Sequence, residues 1–202
     1  MIKALVILNA FWAGPMLTFP LPIVTAASVA FTVPTASAKG PNMAEEAYWV
    51  GVGGIHRKPY DLCQAGVAQS RVNGHVSADL IVQDYPNPPI GRYVAHAGDK
   101  IEAEAGRIDG KYQAIVKDLT TGAVLATGCR VPKGGAWQHA EWIAESRHQY
   151  HQPILVTSPV RFSHMSVQTT RGLAGFWTIW KEAGTDPTLS AYSSDIVFRH
   201  TR

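Results

Sequence analysis

The chain has 202 residues, 18 Lys and Arg against 15 Asp and Glu, a formal net charge of +3, and two cysteines. This length suits one domain with a real core, and so mild a charge, with no block of like charges, excludes a basic nucleic-acid-binding surface. No apolar run after residue 38 is long enough to span a membrane, so that part reads as soluble.

The first 38 residues read as a targeting segment. Lys3 is the only charge before Lys39, an apolar run that includes Ala4-Leu5-Val6-Ile7-Leu8 and Phe11-Trp12 follows it, and Ala36-Ser37-Ala38 has the small-residue pattern of a cleavage site. The alternative is an uncleaved anchor, against which Pro15, Pro20, Pro22 and Pro34 interrupt the roughly 20 unbroken apolar residues a spanning helix needs. The expected division is therefore a signal peptide at 1–38, a short extension at 39–47 and a single domain at 48–202, secreted or periplasmic and free of stable membrane association.

The remainder reads as strands and turns, with no sustained helical period. Tyr48-Trp49-Val50-Gly51-Val52 is a short aromatic and β-branched run. Residues 67–80 contain Asn73-Gly74, a hairpin signal. Tyr85-Pro86-Asn87-Pro88-Pro89 is a stiff loop, because its prolines cannot donate to a sheet ladder. Ala97-Gly98-Asp99 turns into the alternating Lys100-Ile101-Glu102-Ala103-Glu104, and Asp109-Gly110 marks another hairpin. Residues 112–119 and 123–126 flank Thr120-Thr121-Gly122, and 140–145, 159–167, 176–180 and 196–199 are further short strands. Many short strands separated by Gly, Asn and Pro predict an all-β sandwich or barrel.

Glu141 and Glu145 share one face of such a strand, roughly 13 Å apart at about 3.3 Å per residue. That is too far for the carboxyl pair of a glycosidase, at about 5 to 9.5 Å. One carboxylate with an amide from another strand suits acyl transfer better: Glu141 as general base for water, Gln64 as donor to an oxyanion. A glutamate near its ordinary pKa of about 4.3 implies activity that rises below neutral pH. His148 and His151 lack further ligands for a metal. Gly51, Gly53 and Gly54 do not have phosphate-loop spacing, and no serine-nucleophile elbow occurs. Cys63 and Cys129 are either one bridge or two free thiols.

Six segments, in order, resemble the glutamic peptidases, or eqolisins. Trp49-Val50-Gly51-Val52-Gly53-Gly54 is similar to W-V-G-I-D-G, Gln64-Ala65-Gly66 to Q-T-G, and Ala97-Gly98-Asp99-Lys100-Ile101 to A-G-D-x-I. Asp118-Leu119-Thr120-Thr121-Gly122 resembles N-L-T-T-G, Ala140-Glu141-Trp142-Ile143-Ala144-Glu145 resembles A-E-W-I-V-E, and Val160-Arg161-Phe162-Ser163 resembles V-T-F-T. The chain departs where the family's aspartate falls on Gly53 and where its aromatic loop W-Y-E-W-Y-P falls on Ile81-Val82-Gln83-Asp84-Tyr85-Pro86. The resemblance implies a concanavalin A-like sandwich of two antiparallel sheets. It implies a monomeric acid endopeptidase acting on polypeptides without metal or cofactor, with Glu141 and Gln64 catalytic and Trp49, Trp142, Glu145, Gln83 and Tyr85 lining the cleft. The departures leave a second reading open, a non-catalytic binding module on the same sandwich.

Overall fold

The computed structural model describes residues 12–40, 43–54, 61–146, 155, 157–173, 178–180, 188–189 and 196–198. Among these residues there is no helix. The strands are, in chain order, β1 (Trp12–Thr18), β2 (Val24–Thr32), β3 (Ala44–Val52), β4 (Cys63–Val72), β5 (His75–Asp84), β6 (Ile90–Val94), β7 (Lys100–Ile108) and β8 (Lys111–Asp118). There follow β9 (Val124–Gly128), β10 (His139–Ser146), β11 (Val160–Thr169), β12 (Gly172–Leu173), β13 (Thr178–Trp180), β14 (Thr188–Leu189) and β15 (Ile196–Phe198).

They build the expected two-sheet, all-β sandwich. One sheet has seven strands in the order β13-β1-β10-β3-β4-β5-β6, the other eight in the order β14-β15-β11-β2-β7-β8-β9, and β12 pairs with β11. Alternation decides what faces inward. In β7, Ile101, Ala103 and Ala105 are buried while Lys100 and Glu102 are exposed. The main core lies between the sheets and takes Val50, Ala65, Leu80 and Trp142 from the first and Val29, Ala103, Val116 and Phe162 from the second. Full burial of a side chain such as Phe162 contributes about 1.5–3 kcal/mol. Phe31 sits at the seam, with ring centroids 5.3 Å from Phe162 and 6.3 Å from Tyr48 of the opposite sheet.

The turns follow their sequence signals. Asn73 and Gly74 have φ of 50° and 79°, and Asp109 and Gly110 have φ of 49° and 79°. Both central residues of each tight turn are left-handed, as a two-residue hairpin of matching twist requires. Cys63 and Cys129 form a disulfide with Cα atoms 5.8 Å apart, which decides between the two readings of that pair.

The domain boundary read from the sequence is corrected. Residues 12–38 are not outside the fold. β2 lies between β7 and β11, with Ala26 to Thr32 registered against Gly106 to Lys100. Val24, Ala27, Val29, Phe31 and Val33 belong to the main core. β1 lies between β13 and β10, so close to β10 that a Cβ on Gly14 would stand 1.8 Å from the Trp142 carbonyl oxygen. Ala36 bridges to Thr157, and the Ser37 and Lys39 carbonyls each accept a bond from Arg71 Nη1 at 2.7 Å. A cut after Ala38 would remove one central strand from each sheet. The physical reason for the misreading is that a strand covered on both faces needs the same uncharged, apolar and small residues as a leader. Lys3 and residues 4–11 lie outside the described residues, as do His148 and His151.

Candidate active site

The site begins with the period of β10. Ala140, Trp142 and Ala144 join the main core, and Trp142 Nε1 donates to the Ser28 carbonyl of β2 at 2.8 Å. Trp142 therefore faces the opposite sheet and does not line the cleft, which corrects the sequence expectation. Its neighbours Glu141, Ile143 and Glu145 point to the outer face of the seven-stranded sheet. The same alternation puts Gln64 outward between the core residues Cys63 and Ala65, and Gln83 outward beyond Val82.

Register then assembles a row. Met16 of β1 stands opposite Glu141, Glu141 opposite Gly51, Gly51 opposite Gln64, and Gln64 opposite Gln83. Glu141 and Gln64 thus flank Gly51 across β3, with Cα atoms about 10 Å apart at two strand spacings. Any side chain on Gly51 would collide, since its Cβ would lie 2.9 Å from both Leu62 Cδ1 and the Trp49 ring. Sequence reading singled out the two ends of this row but not the spacer between them. The signal was a glycine inside a strand, a mark of close approach.

Glycines also close over the acid. Gly53 and Gly54 leave β3 with φ of 93° and 85°, and a Cβ on Gly54 would sit 2.9 Å from Glu141 Oε1. At Gly53, where the glutamic peptidases have aspartate, a Cβ would meet the Asp61 carbonyl oxygen at 1.8 Å. In this chain the backbone itself forbids a side chain there.

Glu141 is fully buried, and neither of its carboxyl oxygens has a hydrogen-bond partner among the described residues. Burial, and after it the charge of Glu145, pushes its carboxyl well above the usual carboxylate range. The expectation of an ordinary glutamate pKa is corrected accordingly: burial disfavours the charged form, and no described residue offers the carboxyl a hydrogen bond. Gln64 is 7% exposed, its Nε2 donates to Gln83 Oε1, and its Oε1 is buried without a partner among the described residues. Buried polar atoms are nearly always satisfied, so three acceptors of one row left unmet among the described residues make that row a candidate site.

Trp49 and Glu145 lie on the same outer face. Trp49 is buried with Ala47, Leu62 and Ile143 in a small second cluster, and its Nε1 donates to Glu145 Oε2 at 2.9 Å. Tyr85 follows β5 in the loop; its N–H donates to the Leu62 carbonyl at 2.8 Å, and the residue is 39% exposed. That end of the row is fastened by the Cys63–Cys129 disulfide and by Arg130, whose N–H donates to Asp84 Oδ1 at 3.1 Å and whose Nε lies 3.4 Å from Oδ2.

The Peptidase A4 family model matches residues 10–196. No curated protein sequence matches the chain. Solved structures do. Scytalido-glutamic peptidase in complex with a peptide-based transition-state analog is similar with a TM-score of 0.75 and 20% identity, over 96% of this chain and 99% of that one. SCP-B, an eqolisin in complex with the tripeptide Ala-Ile-His, is similar with a TM-score of 0.73 and 19% identity over the same shares. Aspergilloglutamic peptidase from Aspergillus niger has a TM-score of 0.60 and 19% identity, over 78% of this chain and 99% of that one. The span of the family match includes β1 and β2, in agreement with their place in the sandwich, and the chain belongs to the Peptidase A4 family, as a hydrolase of the glutamic endopeptidase type.

Proposed function

We propose that the protein is an acid endopeptidase in which Glu141 and Gln64 activate water directly on a polypeptide substrate. The observation that supports this reading is the row Glu141–Gly51–Gln64, with a buried acid and a buried amide on either side of a residue that has no side chain. Ionised Glu141 takes a proton from water as its oxygen bonds to the scissile carbonyl carbon. The carbonyl oxygen becomes an oxyanion and accepts a bond from the free N–H of Gln64 Nε2. As the tetrahedral species collapses, the C–N bond breaks and Glu141 returns the proton to the leaving amine. The products are a carboxylic acid and an amine, with no covalent enzyme intermediate.

The raised pKa serves both halves of the cycle. A base that must later act as an acid works best near its own pKa. Burial moves that point above the range of an exposed glutamate, so the favoured pH lies on the less acidic side of about 4.3. The Cys63–Cys129 bridge supports a secreted or periplasmic location, where disulfides persist.

The test is cleavage of a denatured protein from about pH 2 to pH 7, which brackets the carboxylate range. Gln64→Ala removes one donor and should lower turnover by about 10² to 10³. Cleavage should withstand chelators, serine-directed reagents and pepstatin-type inhibitors. Folded protein that cleaves nothing at any of these pH values would replace this reading with the binding module.

A further inference from the structure

Both amides of the Gln64–Gln83 pair could in principle be turned either way, and a turned Gln64 would present an oxygen where the oxyanion needs a donor. We propose that Gln83 is a positioning residue that fixes the Gln64 amide, and that its own orientation is set by the main-chain carbonyl of Asn87. The inference rests on the reading of Gln64 as the oxyanion donor.

The argument is one of donors and acceptors. A carbonyl oxygen only accepts. Asn87 O is bonded by Gln83 at 2.7 Å, so the group facing it is Nε2. Gln83 then turns Oε1 toward Gln64, and an oxygen there requires Gln64 to answer with Nε2. One fixed carbonyl therefore removes the ambiguity from two side chains in series. Gln64 keeps its second N–H for the substrate.

The carbonyl is itself held. Asn87 N–H donates to the Asp84 carbonyl at 2.9 Å, and Asn87 Nδ2 donates to Asp84 Oδ2 at 3.2 Å. Asp84 stands opposite Cys63 in register, and Arg130 grips its carboxylate. The relay is neutral, so its orientation does not change as carboxylates titrate. The ionisable groups around it are Asp84 with Arg130 in the loop, Asp61 within electrostatic reach of Asp84, and Glu141 across β3.

A glutamate at this position would behave differently toward Asn87 alone. Protonated, it can donate to Asn87 O and accept from Gln64. Ionised, it loses the bond to the Asn87 carbonyl but still presents an oxygen to Gln64, which must still answer with Nε2. The experiment compares kcat, KM and pH profiles of wild type, Gln83→Leu, Gln83→Glu, Gln64→Ala and the double variant Gln64→Ala/Gln83→Leu. We expect Gln83→Leu to lower kcat with KM little changed, by less than the roughly 10² to 10³ of Gln64→Ala. In the Gln64→Ala background the same change should do almost nothing, because residues that act through one another are not additive. Gln83→Glu should keep a kcat and pH profile close to wild type, because its carboxyl accepts from Gln64 in either protonation state. The inference is overturned if Gln83→Leu keeps wild-type kcat, if its loss multiplies with that of Gln64→Ala, or if Gln83→Glu loses kcat as Gln83→Leu does. Should Gln83→Leu fail to fold, Gln83→Met, which also lacks the amide oxygen, takes its place with the same expected loss. A Gln64→Ala enzyme of full activity would instead remove the donor reading on which the inference stands.

Discussion

Asp118, at the end of β8, and Glu141, in the middle of β10, are both almost wholly closed off from solvent, yet their surroundings differ in kind. Asp118 Oδ1 accepts the N–H groups of Thr120 at 2.8 Å and Thr121 at 3.2 Å, and Oδ2 accepts the Thr121 hydroxyl at 2.8 Å. Burial alone would raise its carboxyl, but these bonds outweigh it and hold the group below the usual range. Glu141 has burial without such bonds among the described residues, and its carboxyl is pushed up. One acid closes a turn and stabilises the fold in its charged form. The other charges only at a cost to the fold. A buried carboxylate is thus no guide to function until its acceptor capacity is counted.

The largest expected effect breaks the comparison at Glu141, the proposed base. Glu141→Gln keeps the shape and removes the base, so peptide cleavage should fall to near background. The same change should stabilise the protein. The folded-state pKa of Glu141 is raised, so the favourable neutral form persists below the ordinary carboxylate pKa of about 4.3, and stability is lost as pH rises through the raised value. Thermal denaturation should therefore show Glu141→Gln more stable than wild type near neutral pH, with the gap closing in acid. A variant less stable at neutral pH would mean that the carboxylate has partners that stabilise it.

Removing the disulfide comes next. Cys63 adjoins Gln64, so the site end of the sheet draws on a covalent link where the Asp118 turn draws on hydrogen bonds. Reduction, or replacement of both cysteines by serine, should cost roughly 2 to 4 kcal/mol in chemical denaturation. Two reactive thiols in unreduced, unfolded protein would show that the bond does not form.

Asp118→Asn tests the other acid. It should lower stability by about 1 to 3 kcal/mol, the range for hydrogen bonds to a charged group, while kcat is unchanged. Because the folded pKa of Asp118 is lowered, its contribution is present above the ordinary carboxylate pKa and fades as pH falls through the folded value. Urea melts at two pH values would show the deficit shrinking in acid, and a deficit independent of pH would deny the charge its role.

The smallest effect is expected at Glu145. Glu145→Gln retains an oxygen for the Trp49 N–H and removes the charge that adds to burial in raising Glu141. The acidic limb of kcat/KM should move slightly to lower pH. A move upward would contradict the assigned repulsion.

The sequence by itself determined the local matters: the alternation of β7, the left-handed pairs at Asn73-Gly74 and Asp109-Gly110, and the shared face of Glu141 and Glu145. It also carried Glu141 and Gln64 as members of known segments. These are legible because side-chain period and turn torsion are properties of a few adjacent residues. Only the tertiary structure decided the register that places both on one row around Gly51, since strand pairing is settled by residues distant in the chain. It also turned Trp142 away from the cleft, explained Gly53 by the nearby Asp61 carbonyl, and left Glu141 without a hydrogen-bond partner among the described residues. The clearest divide is at residues 12–38, where composition states that a segment avoids water but not whether a membrane or two neighbouring strands will cover it. Pairing with β10, β7 and β11 supplied the answer.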